Sequence, residues 1–309
     1  MKKTVLWVPR EAEIGLRLDL ALSRHFPDTS RAMIQEMVKN GEITIDEKTV
    51  KPSRKIYGGE RVSITLREPE KPPMISATEL DFPILFEDED IIVVNKPAGL
   101  VVHPGAGKEA FSVVSALLSR THLSPIGAPL RPGVVHRLDK TTSGVMVLAK
   151  TETAHRKLAK IFSGRSAEKE YLAILEGKPA VEKGRIEVAI ERDRLHRKRM
   201  KATSSDKGRE SVSVFEIIES FRHAALARVK IETGRTHQIR VHMAYIRSPL
   251  LGDVTYGGSK WEGKAIHYLH SHRLSLKHPI SGNKMEWIAP LPSQFQEALQ
   301  HLRDCGQGR

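Results

Sequence analysis

Arg131 to Lys150 reads RPGVVHRLDKTTSGVMVLAK, and its second half settles how the chain is built. Val145, Met146, Val147 and Leu148 form an unbroken apolar run directly after Thr141, Thr142, Ser143 and Gly144, the pattern of a strand buried on both faces behind a polar turn. A second such run, Ile91 to Val94, is stopped by Asn95, Lys96, Pro97 and Gly99 and predicts another buried strand entering a tight turn. Ala227, Val229 and Ile231 alternate with Arg228, Lys230 and Glu232, as a half-buried strand should. A helix is expected from about Thr236, with Ile239, His242, Met243 and Ile246 on one face. From residue 80 to residue 300, strand and helix patterns alternate in this way. They predict a mixed sheet with helices packed against it, in one large domain.

Upstream, residues 14–67 read as a smaller unit of two helices and a hairpin. Leu18, Ala21, Leu22 and Phe26 recur at helical spacing, and Pro27 with Asp28 ends the run. Ser30 is placed to cap a second helix with the apolar face Met33, Ile34, Met37 and Val38, closed by Asn40 and Gly41. Ile43 and Ile45, then Val62, Ile64 and Leu66, alternate with polar residues as hairpin strands do. Residues 68–79 carry Pro69, Pro72 and Pro73 among charges, a composition suited to an extended linker.

The 309 residues hold 50 Lys and Arg against 37 Asp and Glu, a net charge of +13. That balance points to a polyanionic partner, nucleic acid first. The single cysteine, Cys305, excludes a disulfide framework or a cysteine-based zinc site within one chain and fits a reducing compartment. The apolar start is broken by Pro9 and Arg10 before signal-peptide length, and no run approaches a membrane span. The cytoplasm is the expected location, and a monomer the expected state.

Within RPGVVHRLDKTTSGVMVLAK, His136, Arg137, Asp139 and Lys140 fall on a polar loop. An acid between cations stays ionised at neutral pH, which suits a nucleophile better than a general acid. The competing reading of these four residues is a surface salt-bridge loop. Residues 192–209, RDRLHRKRMKATSSDKGR, are densely basic and lack aromatics. They predict a long loop that grips phosphates through Arg197, Lys198 and Arg199 without reading bases, the competing reading being a solvated hairpin tip.

HRLDKTTSG followed by VMVLAKT resembles the catalytic motif of the RluA family of RNA pseudouridine synthases. IIVVNKPAGLVVHP at 91–104, AEKEYLAIL at 167–175, TGRTHQIRVHMAYIRSPLLGDVTYGG at 233–258 and the C-terminal HPISGNKMEWIAPLP resemble further motifs of that family in the same order. The resemblance implies an α+β synthase fold with a mixed, mainly antiparallel sheet flanked by helices. It also implies an isomerase that turns uridine into pseudouridine. By the same resemblance Asp139 is the catalytic carboxylate, Tyr171 stacks on the target base and takes part in proton removal, and Arg240 pairs with the carboxylate. Arg137 enters the space left by the flipped nucleotide, with His136 beside it against RNA. Residues 17–46 resemble the small RNA-binding domain named after a ribosomal small-subunit protein, with Arg31 on its RNA face. There the family's usual Val, Asn, Gly is replaced by Thr44, Ile45, Asp46 and Glu47. Large-subunit ribosomal RNA is the substrate expected from that arrangement, with transfer RNA as the alternative. The reaction calls for no metal and no cofactor, since it changes neither mass nor redox state.

Two other classes compete. A metal-dependent hydrolase would draw on His237, His242, His267, His270 and His272, though no HExxH spacing is present. A non-catalytic RNA-binding assembly factor would need none of Asp139, Tyr171 and Arg240.

Overall fold

The computed structural model describes residues 2–26, 29, 31–67, 80–104, 111–193, 195–196 and 199–307. Pro27, Asp28, the expected cap Ser30, the expected linker 68–79, and Arg197 and Lys198 lie outside them. The chain divides into two units, Met1–Pro73 and Met74–Arg309.

The first unit runs β1 (Lys2–Trp7), α1 (Leu18–His25), α2 (Arg31–Lys39), β2 (Ile43–Ile45), β3 (Lys48–Thr49) and β4 (Val62–Arg67). Its sheet is ordered β1-β4-β2-β3 and every pair is antiparallel. The expected helices and hairpin are present, and β1 is an addition: Lys2–Trp7 pairs along the whole of β4. Leu18, Ala21, Leu22, Ile34, Val38, Ile43, Ile45, Val62 and Ile64 form one core with Trp7. Met33, expected in that core, is exposed, because the buried stripe of α2 is set by Ile34 and Val38 one turn apart.

The second unit continues β5 (Ile84–Glu87), β6 (Ile91–Lys96), α3 (Val113–Leu118), β7 (Ser143–Ala149), α4 (Glu152–Ser163), β8 (Glu168–Glu176), β9 (Lys183–Glu187), β10 (Ala189–Arg192) and β11 (Met200–Thr203). It ends with β12 (Val212–Ser220), β13 (Ala224–Ile231), α5 (Gln238–Tyr245), β14 (Leu269–Lys277), β15 (Lys284–Ile288) and α6 (Ser293–Gln307). The main sheet is ordered β5-β6-β7-β14-β8-β13-β12-β9, with β15 beside β14. Only β7 and β14 pair parallel, so the fold is α+β with a mainly antiparallel sheet.

Alternation along β6 and β7 divides the core. Ile92, Val94, Met146 and Leu148 meet Val113, Val114 and Leu117 of α3 on one face. Ile91, Val93, Val145 and Val147 meet Ala154 and Leu158 of α4 on the other. Each fully buried aliphatic contributes about 1.5–3 kcal/mol, which explains why a strand covered on both sides reads as a continuous apolar run. Gly144 is required where β7 meets β14: at φ +110° a Cβ would stand 2.1 Å from the Ser271 carbonyl oxygen. The basic segment 192–209 is not one long loop. Met200–Thr203 within it forms β11 and pairs with β10 as a hairpin, and Ile190, Met200 and Ala202 pack with Val241 of α5 and with Tyr256.

Candidate active site

The site forms where the loop before β7 meets β8, β13 and the start of α5. Leu138 is buried in the core, which turns its neighbours Arg137 and Asp139 away from it. The loop is tied down at several points. The Asp139 carbonyl accepts from the Thr142 N–H, and the Lys140 carbonyl accepts from the Gly99 N–H at 2.9 Å. Lys96, with no exposed surface, donates its ammonium hydrogens to the carbonyls of Pro97 at 2.9 Å, Leu100 at 2.7 Å and Lys140 at 3.1 Å. Burial, against the upward pull of the Asp139 charge, lowers that ammonium to about 7. The Thr141 and Thr142 hydroxyls lie 2.9 Å from ring nitrogens of His267, which burial holds near 4 and therefore neutral.

Arg240 meets Asp139 across this loop, its Nη1 donating to Asp139 Oδ2 at 3.1 Å. The remainder of the guanidinium is fixed to Asp253, with Nε donating at 2.7 Å and Nη2 at 2.9 Å. Its carbon lies 4.9 Å from the centre of the Tyr256 ring. Arg240 is 7% exposed, although a helix arginine off the apolar stripe would ordinarily be solvated. Two carboxylates and an aromatic face make its burial tolerable.

His237 Nε2 stands 3.8 Å from the same Asp139 oxygen. The Tyr256 hydroxyl accepts from the Met200 N–H at 2.9 Å and lies 2.7 Å from His237 Nδ1. With the phenolic proton given to Nδ1, the imidazole carries its hydrogen on Nε2, toward the carboxylate. His237 has left-handed backbone, φ 58° and ψ 20°, at the start of α5. Such a conformation costs on the order of 1–3 kcal/mol and aims the ring. Gln238 supports the turn: its carbonyl accepts from Thr233 and Arg235, and its amide donates to Val212 and Ser213.

Burial would raise the Asp139 carboxyl, but His237 and Arg240 lower it past its ordinary value. Because burial also keeps His237 below its usual range, Arg240 is the partner that stays charged at every working pH. Asp139 is thus an ionised, aimed carboxylate.

Arg137, Asp139, Tyr171 and Arg240 line a single cleft, together with Leu138, Thr142, Ile231, Arg235 and His237. Tyr171 is 7% exposed, and burial pushes its phenol up to about 12 in spite of a hydrogen bond with Ser271. The cleft measures about 60 Å³ and opens to solvent. Arg137 forms an exposed rim.

The other expected contacts are placed differently. The His136 ring stacks on Phe162, 4.4 Å between centres, and its Nε2 accepts from the Val147 N–H at 3.1 Å. Burial drives it to about 3, so it is a neutral brace for the loop. Arg199 lies over the Tyr256 ring at 5.5 Å, next to the Asp139–Arg240 network. In the first unit Arg31, with Arg17 and Gln35, binds the buried Asp19 carboxylate, and about half of the Arg31 side chain remains exposed. Burial would raise Asp19, and these three partners bring it down to about 2.

The remaining histidines are engaged separately. His242 bonds the Ser213 hydroxyl and the Val188 carbonyl, His270 bonds Ser143 and the Ala289 carbonyl, and His272 bonds that same carbonyl. Among the described residues no group of three or more His, Cys, Asp or Glu is placed to hold a metal ion. Asp253, Tyr256 and Gln238 carry much of the site without having been singled out from sequence, and His237, expected only as a ligand in the competing hydrolase reading, stands beside the Asp139 carboxylate. Asp253 and Tyr256 belong to GDVTYGG, whose clustered Gly residues were the available signal.

The family model described as RNA pseudouridylate synthase matches residues 90–245, and that of the S4 domain matches residues 16–62. The chain is 39% identical to the uncharacterized RNA pseudouridine synthase YlyB of Bacillus subtilis (strain 168), covering 96% of this chain and 97% of that protein. It is 40% identical to ribosomal large subunit pseudouridine synthase D of Escherichia coli (strain K12), covering 95% and 92%. Among solved structures, human RNA pseudouridylate synthase domain containing 4 aligns with a TM-score of 0.57 at 26% identity, over 71% of this chain and 92% of that one. A near-full-length match to synthases, with the family model spanning the loop, β8, β13 and the start of α5, establishes that the chain belongs to the RNA pseudouridylate synthase family.

Proposed function

We propose that the chain converts uridine to pseudouridine in large-subunit ribosomal RNA, with Asp139 as the catalytic carboxylate. The observation that carries the reading is the 3.1 Å bond from Arg240 to Asp139 in a cleft that also holds Tyr171 and Arg137. Two near-full-length relatives named as RNA pseudouridine synthases support it, and the one from Escherichia coli is named for the ribosomal large subunit.

The reaction breaks the bond from ribose C1′ to uracil N1, turns the detached base and joins C1′ to C5. The C5 proton leaves and N1 gains one, so no electrons are exchanged with a cofactor. Asp139, held ionised by Arg240, either adds to C1′ or removes a ribose proton. Tyr171, buried beside it and hydrogen-bonded to Ser271, stacks on the uracil and takes part in removal of the C5 proton, which leaves to water while N1 takes one up. Extruding the nucleotide from its stack costs a few kcal/mol, and Arg137 on the rim offsets this by filling the space left behind. A basic chain of net charge +13 supplies phosphate contacts, to which Arg31, Arg197, Lys198 and Arg199 contribute. No helix among the described residues is long and apolar enough to cross a membrane. We place the enzyme in the cytoplasm, acting as a monomer without metal.

The test is to incubate the protein, in chelator, with unmodified transcripts of large-subunit ribosomal RNA and of transfer RNA, and to map pseudouridine chemically. Discrete sites in the ribosomal transcript are expected. Sites only in transfer RNA would overturn the substrate, and none in either would overturn the reaction.

A further inference from the structure

Lys169 stands two residues before Tyr171 in β8, so both side chains leave the same face of the sheet. Its ammonium lies 4.0 Å from the position a Cβ would take on Gly234, in the turn that leads to His237. Two arginines flank it, brought together by one residue. The Glu210 carboxylate accepts from Arg165 at 3.0 and 2.7 Å, and the Glu210 carbonyl accepts from Arg235 Nε at 3.0 Å.

The acids of the neighbourhood are already engaged. Glu168 pairs with Arg273 and Lys284, Glu170 with Arg228 and Lys230, and Glu232 with Arg185. Among the described residues no carboxylate pairs with Lys169. A half-buried cation between two guanidiniums is unfavourable unless an anion joins it. Burial, followed by Arg165 and Arg235, accordingly holds the Lys169 ammonium below its ordinary value.

There is room for the anion. A cavity of about 450 Å³ is lined by Arg165, Lys169 and Ile231 and by the paired acids Glu168, Glu170 and Glu232, and Ile231 also lines the cleft that holds Asp139, Arg137 and Arg235. A strand with one base in the cleft can therefore continue past Ile231 into the larger cavity.

We infer that Lys169, flanked by Arg165 and Arg235, forms a subsite for the backbone phosphate of a nucleotide next to the target uridine. The inference rests on the RNA-modifying reading and adds to it the group that anchors the strand while the base turns out. Such a contact fixes register and carries no sequence information.

The test compares the wild type with Lys169→Met and Lys169→Arg in binding a labelled oligouridylate across salt, and in turnover on the ribosomal transcript. Lys169→Met weakens binding about tenfold at low salt and lowers the slope of log affinity against log salt by about one. It raises KM more than it lowers kcat, and Lys169→Arg restores both slope and KM. An oligouridylate series with one neutral methylphosphonate linkage at successive positions supplies a second readout. At one position the wild type loses affinity and Lys169→Met loses no more. An unchanged slope in Lys169→Met, or equal methylphosphonate losses in both proteins at every position, overturns the subsite. If the wild type makes no pseudouridine yet Lys169→Met still lowers the slope, the phosphate subsite stands and the synthase reading falls. Normal turnover with an unchanged slope removes the subsite alone.

Discussion

Arg240 donates to Asp253 from Nε and Nη2, at 2.7 and 2.9 Å, and so presents a single edge, Nη1, to Asp139. Asp253 is 2% exposed, and the Asp139 carboxylate is aimed through this second acid.

Asp253→Asn faces the guanidinium with an amide donor and breaks the fork. Breaking a buried ion pair costs about 3–5 kcal/mol, so the melting temperature falls. Turnover drops by about tenfold or more, with a distinguishing sign: the acid limb of the pH–rate profile moves up, because Asp139 loses the alignment that lowers it. Arg240→Lys fails to restore activity, since an ammonium lacks the planar fork. An unshifted acid limb in Asp253→Asn would show that Asp253 serves stability alone.

From the sequence, β7 is legible because burial on both faces leaves no polar residue in Val145–Leu148, and the Asp139 loop is legible because its charges follow one another closely. Asp253 is not, being a lone acid 114 positions from Asp139 in a glycine-rich turn. The helical spacing of α5 places Arg240 off the apolar face, and only the tertiary meeting with Asp139 and Asp253 explains its burial. Alternation is weak across 192–209, so the hairpin is set by packing against α5, not by local pattern. Met33 satisfies the helical period and still faces outward, since period defines a stripe and the surrounding unit decides how wide it is.

Lys96 binds the Asp139 loop through the Lys140 carbonyl. Lys96→Met keeps the volume but leaves buried carbonyls without their donor, at about 1–3 kcal/mol for each one left unsatisfied, partly offset by removal of a buried charge. Turnover decreases because the Asp139 loop loosens. The pH dependence has a defined sign. The unfolded lysine holds its proton to about 10.5, and the folded one releases it at about 7. Between those values the unfolded state binds more protons, so wild-type stability rises with pH relative to Lys96→Met. Urea midpoints of the two proteins from pH 7 to 10 measure it, and parallel curves would contradict the buried titration.

His136, His267 and His270 are held by burial at about 3, 4 and 4. In the unfolded chain they protonate near pH 6.5. Their contribution is nil above that value, and stability is lost as pH falls from 6.5 toward 4, where only the unfolded state takes up protons. For His270, with no exposed surface, the loss reaches roughly 3 kcal/mol. Denaturation midpoints across this window should fall less steeply in His270→Asn than in the wild type. Equal slopes would mean that His270 titrates alike in both states.

In the proposed reaction one ionised carboxylate, Asp139, performs the isomerisation. Asp139→Asn keeps the shape of the side chain and removes its charge, so it should bind the ribosomal transcript with the affinity of the wild type or better and form no pseudouridine at any position. Chemical mapping of that transcript after incubation with each protein is the direct measurement. Pseudouridine at the wild-type sites, made at the wild-type rate by Asp139→Asn, would contradict the account.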